Sequence, residues 1–170
     1  MSRLDSHIRG KIAQRDSLNL AVRLLAGAEG VIVEFGLGQG RSYSHLRTCF
    51  PDHEIVCFDR RNAAHPQSQP PAGHLVLGEL VTVLADPALH VRFHGCVILA
   101  HLDLGCGGPE DEDVPEFVVG RIHGWLKPAA LVLSDQALTL EPAWRLERVE
   151  TGREVQHAER YHVYRRRAPE

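Results

Sequence analysis

The stretch Glu34-Phe35-Gly36-Leu37-Gly38-Gln39-Gly40-Arg41-Ser42 constrains this chain more than any other. Three alternating glycines follow the β-branched run Val31-Ile32-Val33. They precede a helix-like segment, Ser42 to Phe50, that stops at Pro51. A buried strand running through glycines into a helix is the opening unit of a doubly wound α/β sheet. Glycines let the backbone turn tightly and approach a ligand. The helix start that follows offers free N–H groups to an anion.

The rest of the chain fits such a sheet. Ile8, Ile12, Leu20, Ala21, Leu24 and Leu25 recur at helical spacing, which predicts a first helix over 6–27 with Ser6 as its N-cap. Apolar runs at 54–59, 74–77, 96–102 and 130–134 read as further buried strands, with Cys57 and Cys96 inside two of them. Helices are expected at 79–84 and 111–126, the first stopping near Pro87. The prolines and Gly73 within 60–73 leave room for only a short or irregular crossover. The acids Glu110, Asp111, Glu112, Asp113 and Glu116 read as a solvated helix start, favoured by the macrodipole. Val114, Phe117, Val118, Ile122 and Trp125 form an apolar stripe read as core or interface. Segments 144–149 and 161–165 alternate like an antiparallel pair at a sheet edge. The expected fold is a Rossmann-like three-layer sandwich, α/β, around a mostly parallel seven-stranded sheet with an antiparallel final strand. Its 170 residues are expected to form one domain, with 1–29 as an N-terminal helical segment and 30–170 as the core.

Glycine spacing separates two cofactor classes. A dinucleotide loop needs G-x-G-x-x-G, but counting from Gly36 or Gly38 puts Arg41 or Tyr43 at the third glycine. An NAD-dependent oxidoreductase is therefore disfavoured. Asp59, at the end of the second strand, can accept hydrogen bonds from both hydroxyls of a ribose, which indicates a nucleoside without choosing the cofactor. His101 and Asp103 are two residues apart, so they can share a side at the end of the fourth strand. His101 is a candidate general base, and Asp103 a candidate contact for cofactor or acceptor.

The E-x-G-x-G-x-G pattern resembles motif I of the class I S-adenosylmethionine-dependent methyltransferases. More narrowly, Glu34 to Arg47, Phe58-Asp59-Arg60, His65-Pro66, Ala100 to Gly105 and the N-terminal helix resemble a small bacterial family of stand-alone S-adenosylmethionine methyltransferases. The resemblance implies S-adenosyl-L-methionine as cofactor. It implies that Gly36, Leu37, Gly38 and Gly40 cradle its methionine part while Glu34 reaches its ammonium. Asp59 would hold the ribose. Arg41, Ser42, Tyr43 and Arg60 would line the same site. Gly78-Glu79 stands where such enzymes often carry Gly-Asp near the adenine, so Glu79 is a departure from the pattern. The resemblance implies a methyltransferase but no particular acceptor. The alternative is a non-catalytic module that binds the cofactor or a nucleotide.

Composition narrows the partners. The net charge of −3 and the absence of a basic aromatic stripe argue against nucleic acid, and no N-P-P-Y-type tetrapeptide follows the fourth strand. A small-molecule acceptor is expected. His90 and His94 are spaced by four, but Pro87 and Phe93 suggest loop or strand there. With Asp135 the only further ligand for His101 and Asp103, no metal site is expected. Four scattered cysteines, no apolar leader and no apolar run near ~20 residues point to a soluble cytoplasmic protein without membrane contact. Only 135–142 connects the fifth and sixth strands. That should leave apolar sheet face uncovered, and so a homo-oligomer is expected.

Overall fold

The computed structural model describes residues 2–105 and 113–168. Helix α1 (Arg3–Leu24) leads into the alternation β1 (Val31–Phe35), α2 (Arg41–Cys49), β2 (Ile55–Asp59) and β3 (Leu75–Leu77). Two short helices follow, α3 (Leu80–Val83) and α4 (Pro87–Phe93). The chain then runs through β4 (Val97–Leu102), α5 (Val114–Ile122), β5 (Leu126–Ser134), β6 (Leu146–Arg148) and β7 (His162–Arg166). The seven-stranded sheet has the order β3-β2-β1-β4-β5-β7-β6. Strands β1 to β5 pair in parallel, and β7 lies antiparallel between β5 and β6. The mostly parallel sheet and its antiparallel last strand match the expected α/β Rossmann-like sandwich. Strand order reverses between β1 and β4, so a crevice opens at their carboxyl ends.

Alternating side chains build two apolar layers. Val33 and Phe35 of β1, Phe58 of β2 and Leu102 of β4 pack with Phe93 and Trp125 on the α3–α5 face. Phe35 and Phe58 stack with ring centroids 4.7 Å apart, directly beneath the crevice. On the opposite face, Ile32, Ile55, Leu99 and Leu131 meet α1 and α2. Glu34 and His101, opposite one another in register, point to this second face.

Several boundaries differ from expectation for local reasons. Helix α1 starts one turn before Ser6, because a capping box needs an acid three residues after the serine. Ser2 and Asp5 supply one, whereas Ser6 has Arg9 at that place. Pro87 does not stop a helix but begins α4: it sits in the first turn, where its missing N–H costs nothing, and Asp86 caps it through Ala88 N at 2.9 Å. His90 therefore lies in a helix and His94 caps it. Both ring nitrogens of His90 are engaged, by Leu84 O (2.9 Å) and Trp125 Nε1 (3.0 Å). Cys96 lies in the turn before β4, not in the strand. Helix α5 is shorter than expected and β5 longer, since Leu126 already pairs with Val97. The acids Glu110, Asp111 and Glu112 fall outside the described residues. The sheet face expected to be bare beyond β5 is covered: Leu138 and Trp144 fold onto it, with 9 % and 7 % of their surface exposed. Tyr164 Oη holds this connection by accepting from Leu138 N at 2.8 Å.

Candidate functional site

A cleft of about 680 Å³ opens at the carboxyl ends of β1, β2 and β4. Gly36, Leu37 and Gly38 of the glycine loop line it, as do Arg41 and Ser42 of the first turn of α2. Asp59 and Arg60 line it beyond β2, and Glu79 beyond β3. Asp103 and Leu104 form its wall after β4. Most residues expected to bind the cofactor are thus brought together.

Two glycines explain why the loop has this composition. Gly36 has φ +90°, and a Cβ there would collide with the carbonyl oxygen of Asp103. The ends of β1 and β4 can approach only without a side chain at this point. Gly38 has φ +49°, and a Cβ there would meet nothing within 4 Å. Its bare backbone faces open space in the cleft wall, a cradle that a side chain would fill. Gly38 N donates to Asp59 Oδ2 at 2.8 Å, and Arg61 N donates to Asp59 Oδ1 at 3.1 Å. The loop and the candidate ribose acid are therefore fixed to each other. Each carboxylate oxygen keeps acceptor capacity for a further donor.

Five expected site residues lie elsewhere, four of them expected at the cofactor. Tyr43 is 4 % exposed and packs in the α1–α2 layer, where burial first, then nearby Cys57, raises its phenol above the ordinary value. Gly40 caps α2 and packs against the irregular crossover, with a Cβ falling 2.7 Å from Ser68 Cβ. Gly78 stands behind Glu79, outside the lining. Glu34 is fully buried and does not reach the cleft. In parallel register it faces His101, not the ligand space.

His101 is fully buried as well, so it does not stand where a general base would meet an acceptor. His101 Nδ1 lies 3.2 Å from Glu34 Oε1, and its Nε2 lies 2.6 Å from the Tyr161 hydroxyl. Cys57 Sγ donates to Glu34 Oε2 at 3.5 Å, and burial holds that thiol far above its usual range. Tyr161 is raised well above its ordinary value by burial, then by the charges of Asp103 and Asp135.

The buried group connects to the cleft through α1. Gln14 Nε2 lies 3.4 Å from both His101 Nε2 and Tyr161 Oη, and donates to Asp103 Oδ2 at 2.8 Å. Lys11 Nζ donates to Gln14 Oε1 at 2.9 Å and to Asp103 Oδ2 at 3.3 Å. Both bonds to Asp103 fall on Oδ2, and Oδ1 accepts none among the described residues. Asp103 and His101 do share a side, as their spacing predicts, and Gln14 touches both. Asp135 clamps the adjacent loop, its Oδ2 accepting from Gly105 N at 3.0 Å. Burial, then the Asp103 charge, raises its carboxyl.

The sequence reading missed His7, Lys11 and Gln14 of α1, all of which line the cleft. Their spacing of four and three along one helix was the available signal. Val114 and Phe117, read as core or interface, do pack against the core, and both also line the cleft. No helix among the described residues is long and apolar enough to cross a membrane.

Comparison with known proteins agrees with this geometry. The family model of S-adenosyl-L-methionine methyltransferases matches residues 1–166. An S-adenosyl-L-methionine methyl transferase from Silicibacter pomeroyi DSS-3, solved by crystallography, is 35 % identical with a TM-score of 0.87, covering 98 % of this chain and 99 % of that one. The 1,6-didemethyltoxoflavin-N1-methyltransferase of Burkholderia thailandensis, solved with 1,6-didemethyltoxoflavin and S-adenosylhomocysteine, is 16 % identical with a TM-score of 0.53, covering 92 % and 79 %. A 16S rRNA (adenine(1408)-N(1))-methyltransferase from Catenulisporales acidiphilia, solved with its cosubstrate, is 16 % identical with a TM-score of 0.50, covering 89 % and 92 %. These last two share the fold. No curated protein matches the chain.

Proposed function

The chain belongs to the S-adenosyl-L-methionine methyltransferase family, and from that premise we propose that its acceptor is a small molecule held in the cleft beside Asp103. The observation that carries this reading is the make-up of the cleft. Its 680 Å³ falls within the roughly 300–1,000 Å³ typical of small-molecule sites. Asp59, Glu79, Asp103 and Asp113 place four carboxylates on its walls. Lys11, Arg41 and Arg60 share those walls, so the cleft carries no excess of cations with which to grip a polyanion.

The cofactor fits the residues present. Gly38 leaves its backbone open to the cleft, and the carboxylate of Asp59 stands beside it. Bound S-adenosyl-L-methionine supplies a methyl group on a positively charged sulfur, which is already an activated leaving group. Asp59 accepts from the ribose hydroxyls, with Arg60 and Glu79 flanking the nucleoside. The glycine loop receives the methionyl part, and Arg41 with the N-terminus of α2 faces its carboxylate. Asp103 takes the ammonium through Oδ1 while Gln14 and Lys11 hold Oδ2. The protein's task is then alignment of the two reactants in a site shielded by α1. His101 and Glu34 support Asp103 from behind through Gln14.

Two further readings accompany this one. The protein acts in the cytoplasm. It self-associates through exposed apolar side chains at the edge strand β3 and the helix that follows it, where Leu77 of β3 is 52 % and Val81 of α3 65 % exposed. A clean monomer by light scattering at micromolar concentration overturns the latter. The main reading is tested by titrating the protein calorimetrically with S-adenosyl-L-methionine and NAD in parallel. A lysate is then labelled with methyl-tritiated cofactor and separated into small-molecule, RNA and protein fractions. Cofactor binding without NAD binding, and label in the small-molecule fraction, are expected. Label confined to RNA or protein overturns the small-molecule acceptor.

A further inference from the structure

We infer that the acceptor is an organic acid with an apolar body, whose carboxylate is read by Lys11 and His7. This rests on the methyltransferase reading above, because it assigns the half of the cleft that the cofactor leaves open. The glycine loop and Asp59 belong to β1 and β2, on one side of the point where strand order reverses. Anything delivered beside a nucleoside there lies across β4, against α1 and the start of α5. That half is built from two kinds of surface. Leu104, Val114 and Phe117 give an apolar wall. His7 and Lys11, four residues apart and so on one face of α1, give a side of N–H donors.

Lys11 is placed for this role by its present bonds. Its ammonium touches Gln14 Oε1 and Asp103 Oδ2, and its side chain keeps 46 % of its surface exposed. An ammonium has three donors, and two are used. The third is available to an incoming anion. The cofactor's own carboxylate has a separate partner in Arg41, across the cleft at the first residue of α2. An anionic acceptor engages the free donor of Lys11, and its apolar body covers Phe117.

The test uses the full chain saturated with S-adenosylhomocysteine. Benzoate, the isosteric neutral benzamide, and acetate are titrated into the complex by calorimetry. We expect benzoate to bind at least about tenfold more tightly than benzamide, the effect of one charge-assisted contact, and acetate to bind more weakly than benzoate for want of an apolar body. Lys11→Met should abolish the preference for benzoate over benzamide, and Lys11→Arg should keep part of it. Equal binding of benzoate and benzamide by the wild-type complex overturns the inference. So does a Lys11→Met protein that loses S-adenosylhomocysteine affinity yet keeps the benzoate preference, since Lys11 would then serve the cofactor. Failure of the wild-type chain to bind S-adenosylhomocysteine at all is a separate result, and it overturns the cofactor reading itself.

Discussion

Glu34 and His101 are register partners on adjacent parallel strands, and their side chains meet at 3.2 Å with neither exposed to solvent. A motif acid expected at the cofactor is thereby spent inside the sheet. Asp103, two residues beyond His101, is the acid at the end of β4 that lines the cleft. Because the pair is sealed, removing one member leaves the other uncompensated. His101→Leu strands the Glu34 carboxylate with only the Cys57 thiol. Breaking a buried pair in this way typically costs about 3–5 kcal/mol. At roughly 2–4 °C of Tm per kcal/mol for a chain of this size, the melting temperature should fall by about 6–20 °C. Calorimetric melting measures it, and a drop within 2 °C would show that the pair contributes little.

Asp59→Ala should weaken S-adenosylhomocysteine binding about tenfold or more. Two hydrogen bonds to a charged acceptor are lost, each contributing about 1.5–3 kcal/mol at most. Isothermal titration reads the change. Unaltered affinity would remove the ribose from this carboxylate.

The two cleft glycines should fail differently. In Gly36→Ala the new Cβ meets the Asp103 carbonyl, and backbone on both sides must move. Loss of soluble folded protein, or a cost above about 3 kcal/mol, is expected. In Gly38→Ala the methyl enters open space, so only the positive φ opposes it, at about 1–3 kcal/mol. That protein should fold and bind S-adenosylhomocysteine poorly. Circular dichroism with titration separates the cases, and identical behaviour of the two variants would contradict the assignment.

Asp135 makes stability depend on pH. Burial, then the Asp103 charge, raises its carboxyl above 3.8. A carboxyl raised in the folded state holds its proton more tightly there than in the unfolded chain. Its contribution is fully present below 3.8 and is lost as pH rises through the folded value. Asp135→Asn cannot ionise, and its amide oxygen can still accept from Gly105 N. The variant should therefore gain Tm over wild type at pH 7 and show a smaller gain at pH 4. Equal differences at both pH values would exclude Asp135 as the source.

Much of this was readable in advance, for physical reasons. β-Branched runs ending in glycine can hardly be anything but buried parallel strands, so the sheet and the position of the cleft followed. The place of Asp59 in the cleft wall followed too, since the end of the strand beside the glycine loop borders the crevice. Side-chain destinations were less legible. Period-two alternation says that Glu34 and Phe35 face opposite ways, but not which face holds the ligand. Gln14 reaches His101 and Asp103 across 87 and 89 residues of chain. Tyr161 reaches His101 across 60. No local pattern encodes such meetings. Pro87 misled because proline ends one helix and opens another equally well, and only Asp86 before it tells the two apart.

The capping box at Ser2 sets α1 going five residues before His7 enters the cleft wall. A purification handle or fusion partner joined ahead of Ser2 would hang at the entrance of the reaction chamber and unsettle the turn that carries His7 and Lys11. Assays of acceptor preference are better run on protein tagged after Glu170, because β7, antiparallel to β5, ends at the rim of the sheet opposite the cleft.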